Sequence, residues 1–181
     1  PAWSVFVILE EKTVMESVLD CVIKQNTENA NLLKTKDYNI FSVLQIQSKE
    51  VLTCRMIADL LNPRGQHGAG AEYLKIFLRD CLGMEKMDTK LADQAIVTAE
   101  YAIDDERRID IVIEMGSYFL PIEVKIYAAD QKSQCFDYYQ YAKRRDAQAK
   151  VYYLTLDGHR PGKDSTSSGS QSVPEEDIVC L

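Results

Sequence analysis

The sequence predicts an α/β fold, a central mixed β-sheet flanked by helices, and two observations carry that expectation. Up to about residue 94 apolar residues recur at helical spacing. From residue 95 the chain turns β-branched and aromatic, in short runs separated by turn residues. A further helical stretch then precedes the last strands. The order helices, three strands, helix, strand is that of layered α/β domains.

Each element has its own signal. Residues 10–34 read as a first helix. KEVLTCRMIADLL (49–61) has helical periodicity, with Ser48 placed to cap it and Asn62-Pro63 to stop it. NPRGQHGAG is a turn, in which His67 either contacts substrate or, the role polar turn residues usually take, stabilises the turn. EYLKIFLRDCL (72–82) is an amphipathic helix closed by Gly83, and 84–94 reads as loop. AIVTAEYAI, RIDIVIEM and YFLPIEVKIY are strand candidates, the first two separated by the turn DDER. DQKSQCFDYYQYAKRR returns to helical spacing, with Asp130 at the cap position and Lys143, Arg144 and Arg145 at the end that suits the helix dipole. AKVYYLTL (149–156) is a strand. Residues 159–174, rich in Gly, Ser and Pro, read as a flexible loop. EEDIVCL reads as the opening of one more strand, so that the C-terminal end of the domain would be incomplete.

The 181 residues are 46% hydrophobic and 27% charged, ordinary values for one domain with a proper core. We read 1–181 as a single domain, with a helical part at 1–94 and a sheet core with its helix at 95–158. No apolar run approaches the roughly 20 residues that span a bilayer. The net charge of −7 excludes a protein that coats nucleic acid by bulk charge, so any nucleic-acid chemistry must sit at a local site. The five cysteines, Cys21, Cys54, Cys81, Cys135 and Cys180, include no CxxC pair, which points to a reducing, cytoplasmic setting. With only His67 and His159, a histidine-rich metal centre is excluded.

The chemistry concentrates in RRIDIVIEMGSYFLPIEVK (107–125). Burying a charge is costly unless it is paired or holds a metal, yet Asp110, Glu123 and Lys125 all lie in apolar strands. If Gly116-Ser117 is a two-residue hairpin loop, cross-strand partners sum to 233 and Asp110 faces Glu123. Their Cβ atoms would then be roughly 4.5–5.5 Å apart. Lys125, two residues on, shares that face. We expect Ile109, Ile111, Ile113, Ile122, Val124 and Ile126 to build one face, with Val112, Phe119 and Pro121 beside the charges on the other. Two carboxylates this close repel unless neutralised. Mg²⁺ or Mn²⁺ is the natural partner for such oxygens. A lysine beside the metal can orient or deprotonate a water or stabilise developing negative charge. The plainer alternative is an ordinary ion pair of Asp110 and Glu123 with Lys125 or Arg108 on a solvated face. Gln131, Gln134, Tyr138 and Tyr141 form one face of the following helix, fit either to hold a phosphate or base or to pack on the sheet.

Taken together, Asp110, Glu123-Val124-Lys125 and Gln134-Cys135-Phe136-Asp137-Tyr138 resemble the PD-(D/E)XK nuclease superfamily, the last stretch its RecB-like branch with the QhxxY motif. The stretches NIFSVLQIQSKEV…LLNPRGQHGAG and VYYLTLDG resemble an uncharacterised bacterial family of that superfamily, and the resemblance runs over about 39–158. It implies a restriction-endonuclease-like core with Asp110 and Glu123 as metal ligands and the Val124 carbonyl as a further oxygen. It also implies that Lys125 acts on the attacking water, that Gln134 and Tyr138 support the site, and that an upstream glutamate completes it. Glu50 and Glu100 compete for that place. If the strands around DDER pair at a sum of 209, Glu100 faces away from Asp110; at 210 it lies opposite. After Glu50 the family signature usually carries His-Ser, where this chain has Thr53-Cys54.

The expected function is a Mg²⁺- or Mn²⁺-dependent nuclease that hydrolyses DNA, in defence, restriction or repair, acting as a homodimer or with a partner protein. Arg107, Arg108, Lys143 and Arg144 are the candidates for contacting phosphates. A catalytically inactive member of the same fold that binds nucleic acid or a protein is the second reading. A small-molecule phosphoesterase with a Gly-rich phosphate loop is excluded, because GQHGAG follows no strand and lacks the Lys-Ser/Thr of a P-loop.

Overall fold

The computed structural model describes Val43, residues 49–85 and residues 87–181. Apart from Val43, these lie in one compact unit, Ile46–Leu181. The helix expected over 10–34 lies outside the described residues.

One turn sets the register of the central sheet. Gly116 adopts φ +57°, which a side chain would resist, and joins β2 (Arg108–Met115) to β3 (Tyr118–Lys125). Partners run from Met115 with Tyr118 to Ile111 with Ile122, each pair summing to 233 as the two-residue loop predicts. A Cβ on Gly116 would also meet Leu91 Cδ2 at 3.2 Å. Gly116→Ala is therefore expected to cost about 1–3 kcal/mol, read as a lower thermal midpoint. An unchanged midpoint would show that the turn relaxes to another type.

The sheet orders as β1-β2-β3-β4-β7, with β1 at Ile96–Ala102, β4 at Val151–Thr155 and β7 at Ile178–Cys180. The first three strands form an antiparallel meander, while β4 and β7 run parallel to β3. A parallel neighbour requires a crossover, and α4 (Gln134–Lys143) supplies it between β3 and β4. Every residue of β3 after Tyr118 is buried, the signature of a strand covered on both faces.

Two apolar clusters provide that cover. Helix α1 (Glu50–Leu61) presents Cys54, Ala58 and Leu61 at helical spacing to Ile111, Ile113, Ile122 and Val124. Helix α2 (Glu72–Ile76) adds Leu74, and the π-helical turn Phe77–Cys81 that continues it adds Leu78. On the other side α4 packs Cys135, Tyr138 and Ala142 against Val112, Phe119, Val151 and Tyr153.

Ile109 is a correction: it belongs to the α4 side, not with Ile111 and Ile113. Tyr101, its partner, also packs on that side, whereas Ala99 packs on the other. Between Ala99 and Tyr101 stands Glu100 in a left-handed conformation, φ +52°. That local reversal lets residues of equal parity point to opposite faces, and the paired strand turns with it.

Four boundaries also differ from expectation. Lys49, not Ser48, occupies the N-cap position of α1, without a side-chain cap. The expected loop 84–94 contains α3 (Thr89–Asp93), whose cap is Asp88 accepting from the Lys90 N–H at 3.0 Å. Helix α4 opens at Gln134, so Asp130 is not its cap; its carboxylate accepts from Tyr153 Oη at 2.8 Å and the Gly162 N–H at 2.7 Å. The loop expected over 159–174 holds a helical turn, α5 (Lys163–Thr166), and the small hairpin β5–β6 (Ser167–Ser168, Gln171–Ser172). Ser165 of that segment is fully buried beneath the Cys135 N–H, which explains why Gly and Ser here accompany order.

Candidate active site

β2 and β3 bring Asp110, Glu123 and Lys125 together. Asp110 stands one residue past the last paired position of β2, and its Oδ2 accepts from the Val124 N–H at 2.8 Å. That bond fixes the Asp110 carboxylate beside the residue that follows Glu123. Glu123 is completely buried, and Lys125 is 7% exposed. Lys125 Nζ lies directly against Glu123 Oε1. Beyond Lys125 and Asp110, no side chain or amide among the described residues donates to the oxygens of Glu123.

The electrostatics follow from burial and crowding. Burial first, then the adjacent Asp110 carboxylate, push Glu123 up to about 8, against the pull of Lys125. Burial likewise raises Asp110, although the Val124 N–H and Lys125 oppose it. For Lys125 burial would lower the ammonium's pKa, but Glu123, Asp110 and Glu50 more than offset it and hold it above its ordinary value. Lys125 is thus a charged ammonium between carboxylates that resist ionising together.

Glu50, the first residue of α1, reaches the chain just past β3. Its Oε1 accepts from three consecutive amides, Ile126 at 2.7 Å, Tyr127 at 3.1 Å and Ala128 at 3.0 Å. Burial raises its pKa, but these amides and Lys125 outweigh burial and hold Glu50 below the usual carboxylate range. Glu100 is placed differently. The β1–β2 pairs sum to 210, which sets Glu100 across from Asp110. Its carboxylate nevertheless turns to α1, where Arg55 holds it through Nε at 3.1 Å and Nη2 at 2.7 Å.

Gln134 and Tyr138 act on the backbone of β2. Gln134 Nε2 donates to Tyr138 Oη at 3.0 Å, and the Tyr138 hydroxyl donates to the Arg108 carbonyl, two residues before Asp110. Both side chains are buried. Tyr138→Phe would remove that donor and leave Gln134 without its acceptor. The expected cost is about 1–3 kcal/mol in urea unfolding; a smaller loss would mean that the strand does not depend on the strut.

The basic candidates separate. Arg107 is consumed internally: it donates to Asp137 at 3.1 Å, Gln131 at 2.8 Å and the Lys132 carbonyl at 2.6 Å. Lys143 pairs with Asp177 at 3.1 Å. Arg108 and Arg144 are exposed. Arg145 neighbours Glu114, four residues along β2 from Asp110; at about 3.3 Å per residue the basic end of α4 is about 13 Å from the acids. His67 stabilises its turn, with Nδ1 accepting from the Ala69 N–H at 3.0 Å and Nε2 at 3.1 Å from the Asn62 carbonyl oxygen.

Three neighbours escaped sequence reasoning. Cys54, fully buried four residues after Glu50, has its thiol pushed up to about 12, first by burial and then by the three carboxylates. It is a neutral wall of the site. Tyr153 pairs with Glu123 across β3 and β4 and is anchored by Asp130. Arg55 carries Glu100. The helical spacing of Cys54 from Glu50 was a usable signal, but nothing local marked the other two.

A family model described as the PD-(D/E)XK nuclease superfamily matches residues 38–176, well over half of the chain. The chain belongs to the PD-(D/E)XK nuclease superfamily. Its five-stranded mixed sheet with flanking helices is the restriction-endonuclease-like α/β architecture. No curated protein and no solved structure matches the chain. Members of the superfamily generally use divalent metals, and the donors here fit a hard cation. Glu123 offers two buried carboxyl oxygens next to a second carboxylate. Among the described residues no three His, Cys, Asp or Glu side chains form a ready cage. Mg²⁺ commonly takes only one or two carboxylates and completes its shell with water and substrate phosphate.

Proposed function

We propose that this PD-(D/E)XK protein is a Mg²⁺- or Mn²⁺-dependent nuclease that hydrolyses DNA phosphodiester bonds. The observation that carries the reading is Glu123: a fully buried carboxyl group crowded against a second carboxylate, Asp110, and the ammonium of Lys125. A structural ion pair would be one carboxylate with one cation and further hydrogen bonds to its lone pairs; here two adjacent carboxyl groups share a single ammonium. Asp110, Glu123 and the Val124 carbonyl would hold the metal, which supplies Lewis-acid polarisation of the phosphate and activation of water. The ammonium of Lys125 meets the negative charge that develops on the phosphate and orients the attacking water. Gln134 and Tyr138 keep β2, and so Asp110, in place; their spacing supports the RecB-like branch. Of the upstream glutamates, Glu50 is the better candidate to complete the site once it leaves the amides of residues 126–128, since its charge acts on Asp110 and Lys125, whereas Glu100 is turned to α1 by Arg55. Arg108 and Arg144 remain for phosphate contact.

The unpaired Cys54, Cys81, Cys135 and Cys180 support a reducing, cytoplasmic setting. No helix among the described residues is long and apolar enough to cross a membrane. Action as a homodimer or with a partner protein is part of the same reading.

The test is cleavage of labelled linear and circular DNA in Mg²⁺ or Mn²⁺, wild type beside Asp110→Asn. Metal-dependent cutting that the variant loses is expected, and cutting of the circle marks endonuclease action. A folded wild type inert in both metals would favour the non-catalytic binding member of the fold.

A further inference from the structure

The amides of Ile126, Tyr127 and Ala128 converge on a single point in space. Three successive N–H groups aimed at one acceptor form an anion-binding nest. Its occupant is one oxygen of Glu50, a residue 76 to 78 positions away in the chain. The nest begins at the residue after Lys125, and Tyr127 and Ala128 are exposed, so it opens to solvent once the carboxylate leaves. Its donors belong to the backbone of the β3 exit, and vacating it requires rotation of one side chain.

We infer that this nest is a phosphate-binding subsite for the substrate strand, which Glu50 fills as an internal stand-in when no substrate is bound. The inference rests on the nuclease reading for the identity of the anion. A phosphodiester carries the same single negative charge as the carboxylate whose place it takes, and Lys125, whose charge already interacts with Glu50, stands beside the nest to meet it. Hydrogen bonds from amides to an ionised acceptor are roughly twice as strong as neutral ones. A non-bridging phosphate oxygen in the nest would set the phosphate beside Lys125 with no rearrangement of β3.

The test is metal-free, so its failure leaves the cleavage experiment untouched. The full chain in EDTA is titrated with a short single-stranded DNA and separately with inorganic phosphate, following the backbone amide resonances of residues 126–128. Glu50→Ala is expected to bind the DNA about tenfold more tightly than wild type, with these three amides shifting. Ala128→Pro, which deletes one N–H, should cancel the gain in the Glu50→Ala background. If Glu50→Ala does not fold, Glu50→Gln, a neutral and weaker occupant, should shift affinity in the same direction by a smaller factor. Folded variants whose DNA affinity is unchanged or lower would overturn the proposal and make Glu50 a permanent clamp. Tighter binding without movement of the three amides would also overturn it. A response to inorganic phosphate alone would refute the assignment to the substrate strand.

Discussion

Lys125→Ala should lower metal-dependent DNA cleavage by about a thousandfold while the protein stays folded in saturating metal. The size follows from the role. Loss of a positioned acid–base group or of a preorganised charge at the reacting centre typically costs about 10²–10⁴ in rate. Lys125 is nearly buried, and three carboxylates hold its ammonium charged. In the metal-free protein it is therefore a fixed positive charge rather than a base. Such a charge is realised most fully against the transition state, so kcat should fall and KM for DNA should change little. Lys125→Arg keeps the charge on a larger planar group with different hydrogen-bond geometry, and should recover only part of the rate. If Lys125→Ala cleaved as fast as wild type, Lys125 would be only a counter-ion for Glu123, and the mechanism proposed here would fail.

The hairpin was legible because its geometry is local. Gly116-Ser117 fixes a register of 233 as far as Ile111 with Ile122, and the bond from the Val124 N–H then sets Asp110 beside Glu123. The parallel strand β7 was legible in EEDIVCL for the same reason: a short apolar run speaks for itself. What failed was whatever depended on partners distant in sequence. Arg107 reads as a free cation next to the site, yet Asp137, Gln131 and a carbonyl claim it from the following helix. Asp130 has the composition of a cap, but Tyr153 and Gly162 offer it better donors. Parity along β2 predicted Ile109 beside Ile111, and the left-handed turn at Glu100, in another strand, reversed it. Arg55 of α1 holds the Glu100 side chain, a contact invisible until α1 is placed on the sheet.

The metal-free protein is expected to lose stability as the pH rises, opposite to the usual behaviour of a paired carboxylate. Glu123 is the cause. Its folded pKa is raised from 4.5 to about 8 by burial and by Asp110. Between those values the native state binds a proton that the unfolded chain releases, so unfolding becomes easier with each step upward. The stabilising contribution is complete below about 4.5 and lost as pH passes through about 8. Each unit of separation is worth about 1.4 kcal/mol, and Asp110, shifted in the same direction, adds to the slope at its lower end. Calorimetry in EDTA should therefore give a thermal midpoint several degrees lower at pH 8.5 than at pH 6. Glu123→Gln keeps the shape and removes the titration, so its midpoint should be nearly flat over that range and exceed that of wild type at pH 8.5. Mg²⁺ or Mn²⁺ should raise the wild-type midpoint most at the alkaline end, where both carboxylates are ionised and free to bind, and should do little for Glu123→Gln. A wild type whose midpoint rises from pH 6 to 8.5 in EDTA would mean that Glu123 is ionised with Lys125 at neutral pH. The site would then be an ordinary buried ion pair, with no proton waiting to be exchanged for a metal.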